Sequence, residues 1–150
     1  MPLLNYAQVL FMRAEAAKNG YEAGGDAAAA VFYADAIKAS WEQYGVFNAG
    51  AYATFMALPG VVFVPATGLQ QIMTQKWVHM YLNSWECWND WRRTGFPTLT
   101  PAQDAVDSRG IPKRLGYPSN EGALNGANYA AAVAAMGGPD DNYTKMWWLP

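Results

Sequence analysis

Residues 85–97 read WECWNDWRRTGFP, and this stretch separates two parts of the chain that differ in character. Before it, apolar residues recur at intervals of three and four, which is the spacing of amphipathic helices. Gly95 and Pro97 end the helix that carries the tryptophans and arginines. After it, clear periodicity returns only over residues 125–136. The sequence therefore predicts a mainly α-helical first part and a loop-rich second part with one short helix.

The upstream part contains several helix start and stop signals. The first predicted helix runs from Tyr6 to Lys18 and is capped by Asn5, and the second is capped by Asp26 and ends at about Tyr44, before Gly45. A short helix over 49–58 and an extended run over 61–64 follow. The last two predicted helices begin at a Thr67/Gln70 capping box and at Ser84. We expect the first two helices to form a hairpin. Ala29, Tyr33 and Ala36 resemble the second helix of a tetratricopeptide-type repeat.

The composition excludes several classes of partner. The net charge is -2 and Lys and Arg form no run, so neither nucleic acid nor an anionic lipid surface is an expected partner. One cysteine, one histidine and scattered carboxylates offer no metal-ligand spacing, and no phosphate-binding glycine motif occurs. No stretch approaches the roughly 20 apolar residues of a membrane span. The sequence predicts no cofactor and no metal.

Three groups of residues are candidates for catalysis, and each also has a structural interpretation. His79 and Cys87 are a possible base and nucleophile without a third orienting group. The acid pairs Glu86 with Asp90 and Asp140 with Asp141 would suit a glycosidase if their carboxylates faced one cleft. We interpret all of these as packing or surface residues, so the protein is not expected to be an enzyme.

The aromatic and arginine residues have two interpretations, ligand contact and loop attachment. Tryptophan and arginine stack on sugar rings or apolar ligands. A guanidinium also holds irregular loops, because its five donors reach several carbonyl groups. We favour the structural interpretation for most of the cluster. The candidates for ligand binding are Trp147, Trp148, Trp41, Asn142 and Tyr143.

The second part carries an ordered series of short motifs. In chain order they are 75–77 (QKW), Trp88, 91–97 (WRRTGFP), 111–115 (IPKRL), 117–121 (YPSNE), Asn125, Asn128 and 144–148 (TKMWW), preceded by 13–16 (RAEA) and 33–37 (YADAI). The series resembles the C-terminal part of the SusD/RagB family, the starch-binding-type outer-membrane lipoproteins. The resemblance spans nearly all 150 residues.

This resemblance implies a fold of tetratricopeptide-like helix pairs covered by a long loop-rich C-terminal region. On this basis residues 1–95 are the helical scaffold and 96–150 the loop layer, and together they correspond to the C-terminal portion of a longer, lipid-anchored protein. The residues that match structural signature positions of the family are Trp88, Arg92, Arg93, Gly95, Pro97, Arg114, Pro118, Glu121 and Asn125. We expect Glu121 to pair with Arg93 or Arg114 in a partly buried site.

The implied function is non-catalytic binding of a glycan or another nutrient, such as a peptide, on the outer face of the outer membrane. The implied partner is a SusC-like TonB-dependent transporter. Two alternatives stay open: a tetratricopeptide-like scaffold that binds another protein, and an all-helical glycoside hydrolase. Because 52% of the residues are hydrophobic, we also expect an unusually large exposed apolar patch.

Overall fold

The protein's structure, a computed structural model, describes residues 4–149. Its helices are α1 (Tyr6–Lys18), α2 (Gly25–Gln43), α3 (Ala49–Met56), a 3-10 turn (Pro65–Thr67), α4 (Gly68–His79), α5 (Ser84–Thr94), α6 (Glu121–Leu124) and α7 (Gly126–Met136). Residues 4–149 contain no strand, so the prediction of a mainly α-helical fold is confirmed. None of the helices described is both long enough and apolar enough to cross a membrane.

The chain divides into two compact units. Unit 1 extends to Trp91 and unit 2 begins at Arg92, so the division falls inside α5. The predicted boundary between residues 95 and 96, and the assignment of the chain to a C-terminal portion, stay predictions.

Unit 1 is built on a tightly packed hairpin of α1 and α2. Ala14, Ala17, Ala29 and Ala36 are fully buried, and such small side chains let the two helix backbones approach closely. Tyr33 is the largest side chain in this core, and its hydroxyl donates to the backbone oxygen of Val61 over 3.0 Å. Burial raises the pKa of Tyr33 to about 12. The hairpin confirms the predicted helix pair.

The start of α1 is fixed by its cap and by α4. The side-chain oxygen of Asn5 accepts a 2.8 Å bond from the backbone of Gln8, as the sequence predicted. The same oxygen lies 2.8 Å from Nε2 of His79, and Nδ1 of His79 lies 2.9 Å from the Ser40 hydroxyl. Because an amide oxygen only accepts, Nε2 carries the proton. One buried histidine therefore joins α1, α2 and α4.

The predicted Asp26 cap of α2 is wrong. The cap is Gly24, which has a φ of 99°, a conformation that glycine adopts without strain. The helix thus begins one residue before Asp26, which lies in the first turn and pairs with Lys18 at 2.6 Å. There the carboxylate still interacts favourably with the positive end of the helix dipole.

The predicted capping box of α4 is also wrong, and the predicted extended run before it is a turn at Val61 and Val62 but extended at Val64. Thr67 ends a 3-10 turn with a ψ of 10°, and its side chain makes no cap bond. Backbone amides of Val61 and Val62 both donate to Leu58, which folds this segment into a turn. The Gln71 side chain donates to the backbone oxygen of Val62 and accepts from the backbone amide of Val64. These backbone groups are thus bonded by a side chain and not by a neighbouring strand.

Unit 2 is formed mainly by loops around α6 and α7. Gly95 has a φ of 76°, and a cis peptide bond joins Phe96 to Pro97 where α5 has ended. Between residues 92 and 149 the one buried residue is Arg114. Unit 2 is therefore held together mainly by polar contacts, whereas unit 1 is held together by an apolar core.

Candidate functional site

Arg114 lies at the centre of the polar contacts of unit 2. Its Nη1 donates to Oδ1 of Asp140 at 2.7 Å and to the backbone oxygen of Asp141 at 3.0 Å. Asp140 also accepts bonds from the Tyr117 backbone and from the Tyr129 hydroxyl. The Arg114 hydrogen bond is the main cause that holds the pKa of Asp140 below its ordinary value. Asp140 is thus an anion that joins its own loop to the loop of Arg114 and Tyr117 and to helix α7.

A second arginine lies over an aromatic ring nearby in the same unit. The guanidinium of Arg109 is 4.1 Å from the centre of the Tyr143 ring, and Nη1 donates to Asp141 at 2.7 Å. Its Nε and its backbone amide each donate to Asp107 at 2.8 Å. These bonds lower the pKa of Asp107, first through the Arg109 side chain. The result is a fixed array of three charged side chains and one aromatic ring, formed by Arg109, Asp107, Asp141 and Tyr143.

An apolar pocket of about 350 Å³ opens beside this array. Its lining includes Ala102, Ala105, Ile111, Pro112, Asp107 and Tyr143. The fixed carboxylate and the ring therefore border a mostly apolar hollow, which is the general composition of a small-molecule site.

The predicted ligand-binding residues Trp147 and Trp148 are adjacent in sequence but differ in exposure. Trp147 is 94% exposed. Trp148 is half-buried, with the guanidinium of Arg92 at 4.9 Å from its ring. Arg92 also donates to the backbone oxygen of Lys113 at 2.8 Å, and burial lowers its pKa. Of these two residues, Trp147 is the one whose whole indole faces solvent.

Asn142 holds the loop that carries Arg114. Its backbone oxygen accepts from Lys113 and Arg114, and its side-chain oxygen accepts from Gly116 at 3.1 Å. Its neighbour Tyr143 lines the pocket. Of the predicted ligand residues, Tyr143 thus lines the pocket and Asn142 precedes it in the chain.

The remaining predicted ligand residue, Trp41, lies in unit 1. Its ring packs against Tyr52 with centroids 5.9 Å apart and against Phe55 at 5.2 Å. The signature residue Trp88 is half-buried and meets the exposed Trp85 edge-on at 6.0 Å. The contributions of these residues to ligand binding or to structure stay predictions.

The predicted pair of Glu121 with Arg93 or Arg114 is wrong. Glu121 begins α6, and its carboxylate accepts a 2.9 Å bond from Asn125 one helical turn later. Arg114 pairs with Asp140 instead, where both side chains are nearly buried. The backbone of Glu121 donates to Pro118, so these signature residues form a local turn.

Most of the residues considered for catalysis have structural partners. Both ring nitrogens of His79 are bonded within the core, and burial lowers its pKa. Cys87 donates to backbone oxygens of α4 and the turn after it, and burial raises its pKa, which opposes thiolate formation. Asp90 forms a 2.7 Å ion pair with Lys76. Asp140 and Asp141 have lowered pKa values, whereas a glycosidase acid needs a raised one.

Sequence reasoning did not single out Arg109, Asp107 or the pocket beside them. Arg109 is bonded to residues two and 32 positions away, and no periodic pattern connects these positions. The Asp-x-Arg spacing was the available signal, because a carboxylate accepts readily from the amide two residues later.

Comparison with known proteins gives the chain a family. The model of a SusD-like family, described as starch-binding and associating with the outer membrane, matches residues 1–118. No curated protein sequence matches the chain.

Several solved structures are similar to the chain over nearly its whole length. A SusD-like structure from Bacteroidetes has 31% identity and a TM-score of 0.84, with 99% of this chain and 30% of that chain covered. A chitin-binding protein has 34% identity and a TM-score of 0.80, with coverages of 97% and 33%. A chitin-binding SusD homologue from Flavobacterium johnsoniae has 31% identity and a TM-score of 0.76, with coverages of 97% and 36%.

The chain spans about a third of the length of these structures. The helical hairpin lies within residues 1–118, the part of the chain that the family model matches. The similar structures cover the loops of unit 2 as well. The chain belongs to the SusD-like family, the SusD/RagB group of proteins.

Proposed function

We propose that the protein is a non-catalytic glycan-binding component of an outer-membrane uptake system. The observation that carries this proposal is its membership of a family described as starch-binding and associated with the outer membrane. Two of the similar structures are of chitin-binding proteins at 31% and 34% identity, which makes chitin-type oligosaccharides the first ligands to test. A peptide is the other nutrient class to test.

The proposed partner is a SusC-like TonB-dependent transporter, to which the bound glycan would be delivered. The proposed location is the extracellular face of the outer membrane, with a lipid anchor in the full-length protein. A net charge of -2 with dispersed basic residues supports a partner other than nucleic acid.

Among the proposed ligand contacts, Trp147 has the best access. An indole that is 94% exposed has both faces available for stacking on a sugar ring, and it costs little to desolvate. One face of Trp148 is taken by Arg92, and Trp41 is partly covered by Tyr52 and Phe55. Trp148, Trp41, Asn142 and Tyr143 are therefore secondary candidates.

Isothermal titration calorimetry of the chain with chitohexaose and maltohexaose tests the proposal. We expect Trp147→Ala to weaken binding while leaving the melting temperature unchanged, since its ring is in solvent. Trp85→Ala is the matched control, because Trp85 is also exposed, at 68%, but lies in unit 1. Absence of binding to either oligosaccharide by the unmodified chain would contradict glycan binding by this part of the protein.

A second candidate function is a protein-interaction scaffold. An apolar groove of about 500 Å³ lies at the α4–α5 turn, lined by Trp77, Val78, Met80, Tyr81 and Leu82. Val78, Tyr81 and Leu82 are largely exposed, which is unusual for neighbouring large apolar residues. Peptide binding that is lost in Tyr81→Ser and kept in Trp147→Ala would favour this function over the first.

A further inference from the structure

Two asparagines of the chain, Asn19 and Asn125, directly precede a glycine. In such a pair the glycine nitrogen can attack Cγ of the asparagine, because glycine has no side chain that hinders the approach. The new N–Cγ bond replaces the bond from Cγ to Nδ2, so a succinimide ring forms, and the departing nitrogen takes up the glycine amide proton through solvent and leaves as ammonia. Water then opens the ring at either carbonyl group, which gives aspartate or isoaspartate. Both pairs have the same local sequence, so the fold decides which of them reacts.

Three hydrogen bonds hold Asn125 in an unreactive position. Its Nδ2 donates to the carboxylate of Glu121 at 2.9 Å, and its Oδ1 accepts from Nδ2 of Asn128 at 2.7 Å. Its backbone oxygen accepts from the amide of Tyr129 at 2.9 Å, in the first turn of α7. The attack requires the side chain to turn toward Gly126 and the peptide plane between the two residues to rotate. All three bonds must therefore break before the ring can close.

Asn19 is held less firmly, at the exposed end of α1. Within residues 4–149 its side chain has no hydrogen-bond partner. The amide of Gly20 donates to the backbone oxygen of Ala17 at 3.2 Å, and this bond must break for the attack. The next bond, from Tyr21 to Ala16 at 2.8 Å, lies beyond Gly20. Because glycine rotates freely, the peptide plane before Gly20 can turn while that bond stays in place.

We propose that Asn19 is a site of spontaneous deamidation in the folded protein and that the fold protects Asn125 from the same reaction. Ring closure breaks one hydrogen bond at Asn19 and three at Asn125. The two additional bonds should slow the reaction at Asn125 about 30-fold, which is the rate equivalent of about 2 kcal/mol.

The modification would act on the turn that joins α1 to α2. A carboxylate at position 19 lies at the C-terminal end of α1, where the helix dipole is negative. Isoaspartate also adds one carbon atom to the backbone of a turn that Gly20 and Tyr21 bond back to α1. Deamidated protein should therefore melt at a lower temperature than fresh protein.

Peptide mapping by mass spectrometry, after incubation of the whole chain in mildly alkaline buffer, measures the reaction at each asparagine. We expect Asn19 to react at least about tenfold faster than Asn125 in the folded chain. The control is the same chain unfolded in guanidinium chloride. There the two asparagines should react at similar rates, because both precede glycine and neither is held by the fold.

Removal of the side-chain bonds of Asn125 tests the source of its protection. The double variant Glu121→Ala/Asn128→Ala lacks two of the three bonds, so the rate at Asn125 should rise about tenfold or more. The rate at Asn19 in the same variant is the matched control and should stay unchanged, because Asn19 lies in unit 1.

Three results would overturn the proposal or part of it. Reaction at Asn125 as fast as at Asn19 in the folded chain would overturn it entirely. Absence of reaction at Asn19 in the folded chain, over a period in which the unfolded chain reacts fully, would exclude Asn19 as the site. An unchanged rate at Asn125 in the double variant would overturn the protective role of its side-chain bonds.

Discussion

Replacing Asp90 by asparagine should destabilise unit 1 strongly, because it leaves the ammonium of Lys76 buried without its counter-charge. The two groups are 2.7 Å apart, and their side chains are only 3% and 16% exposed. At an effective dielectric constant of about 20, charges at that distance attract by about 6 kcal/mol. Removing two ions from water costs several kcal/mol each, so the intact pair contributes little net stability.

Breaking one side of such a pair is costly, because the desolvation of the remaining ion is no longer offset. We expect Asp90→Asn to lower the free energy of unfolding by about 3–5 kcal/mol. Urea denaturation followed by tryptophan fluorescence measures this as a fall in the midpoint at an unchanged slope.

Lys38 and Glu42 provide a matched control on α2. Their charged atoms are 3.9 Å apart and their side chains are about half exposed, so Glu42→Gln should cost less than about 0.5 kcal/mol. The double variant Lys76→Met/Asp90→Leu should recover most of the loss, since neither ion is then left unpaired. A loss below about 1 kcal/mol in Asp90→Asn would refute the reasoning, because it would mean that Lys76 reaches water.

Three further predictions concern single side chains. Burial holds the folded-state pKa of His79 below its ordinary value of about 6.5, so the unfolded chain binds a proton at a higher pH than the folded chain does. Stability should therefore fall as the pH drops from 7.5 to 5.5. His79→Gln removes the one histidine and should flatten that fall, measured as urea midpoints. Gln71→Leu should cost about 1–3 kcal/mol in the same assay, since the backbone groups that Gln71 bonds lose their partner; no change would show that water replaces it. Asp140→Asn should lower the melting temperature of the chain while Glu121→Gln leaves it unchanged, because Asp140 joins three segments and Glu121 bonds one neighbour; equal effects would contradict this division.

The helices could be predicted from sequence because their signals are local. Asn5 lies three residues before the amide that it caps, and Gly45 takes the positive φ that follows the end of α2. The failures arose where another geometry competed with the local signal. Gly24 displaced Asp26 as a cap, and the 3-10 turn before α4 removed the extended backbone that the Thr67 cap needs.

The contacts of unit 2 could not be predicted in the same way, because their partners are distant in sequence. Arg114 meets Asp140 across 26 positions, and Arg109 meets Asp141 across 32. Arginines and carboxylates are numerous enough that composition allows many pairings. The expectation that Glu121 was the partner failed for this reason.

The way unit 2 is held together has a consequence for the ligand that it would accept. Arg114 is the one buried residue between 92 and 149, so the loops there are held by arginine, carboxylate and aromatic contacts. Asp107, Asp140 and Asp141 have most of their acceptor positions engaged in fixing those loops. A bound group therefore meets carboxylates that are already oriented, and little conformational entropy is lost when it binds. A charged group that approached these loops would compete with the bonds that keep them in place.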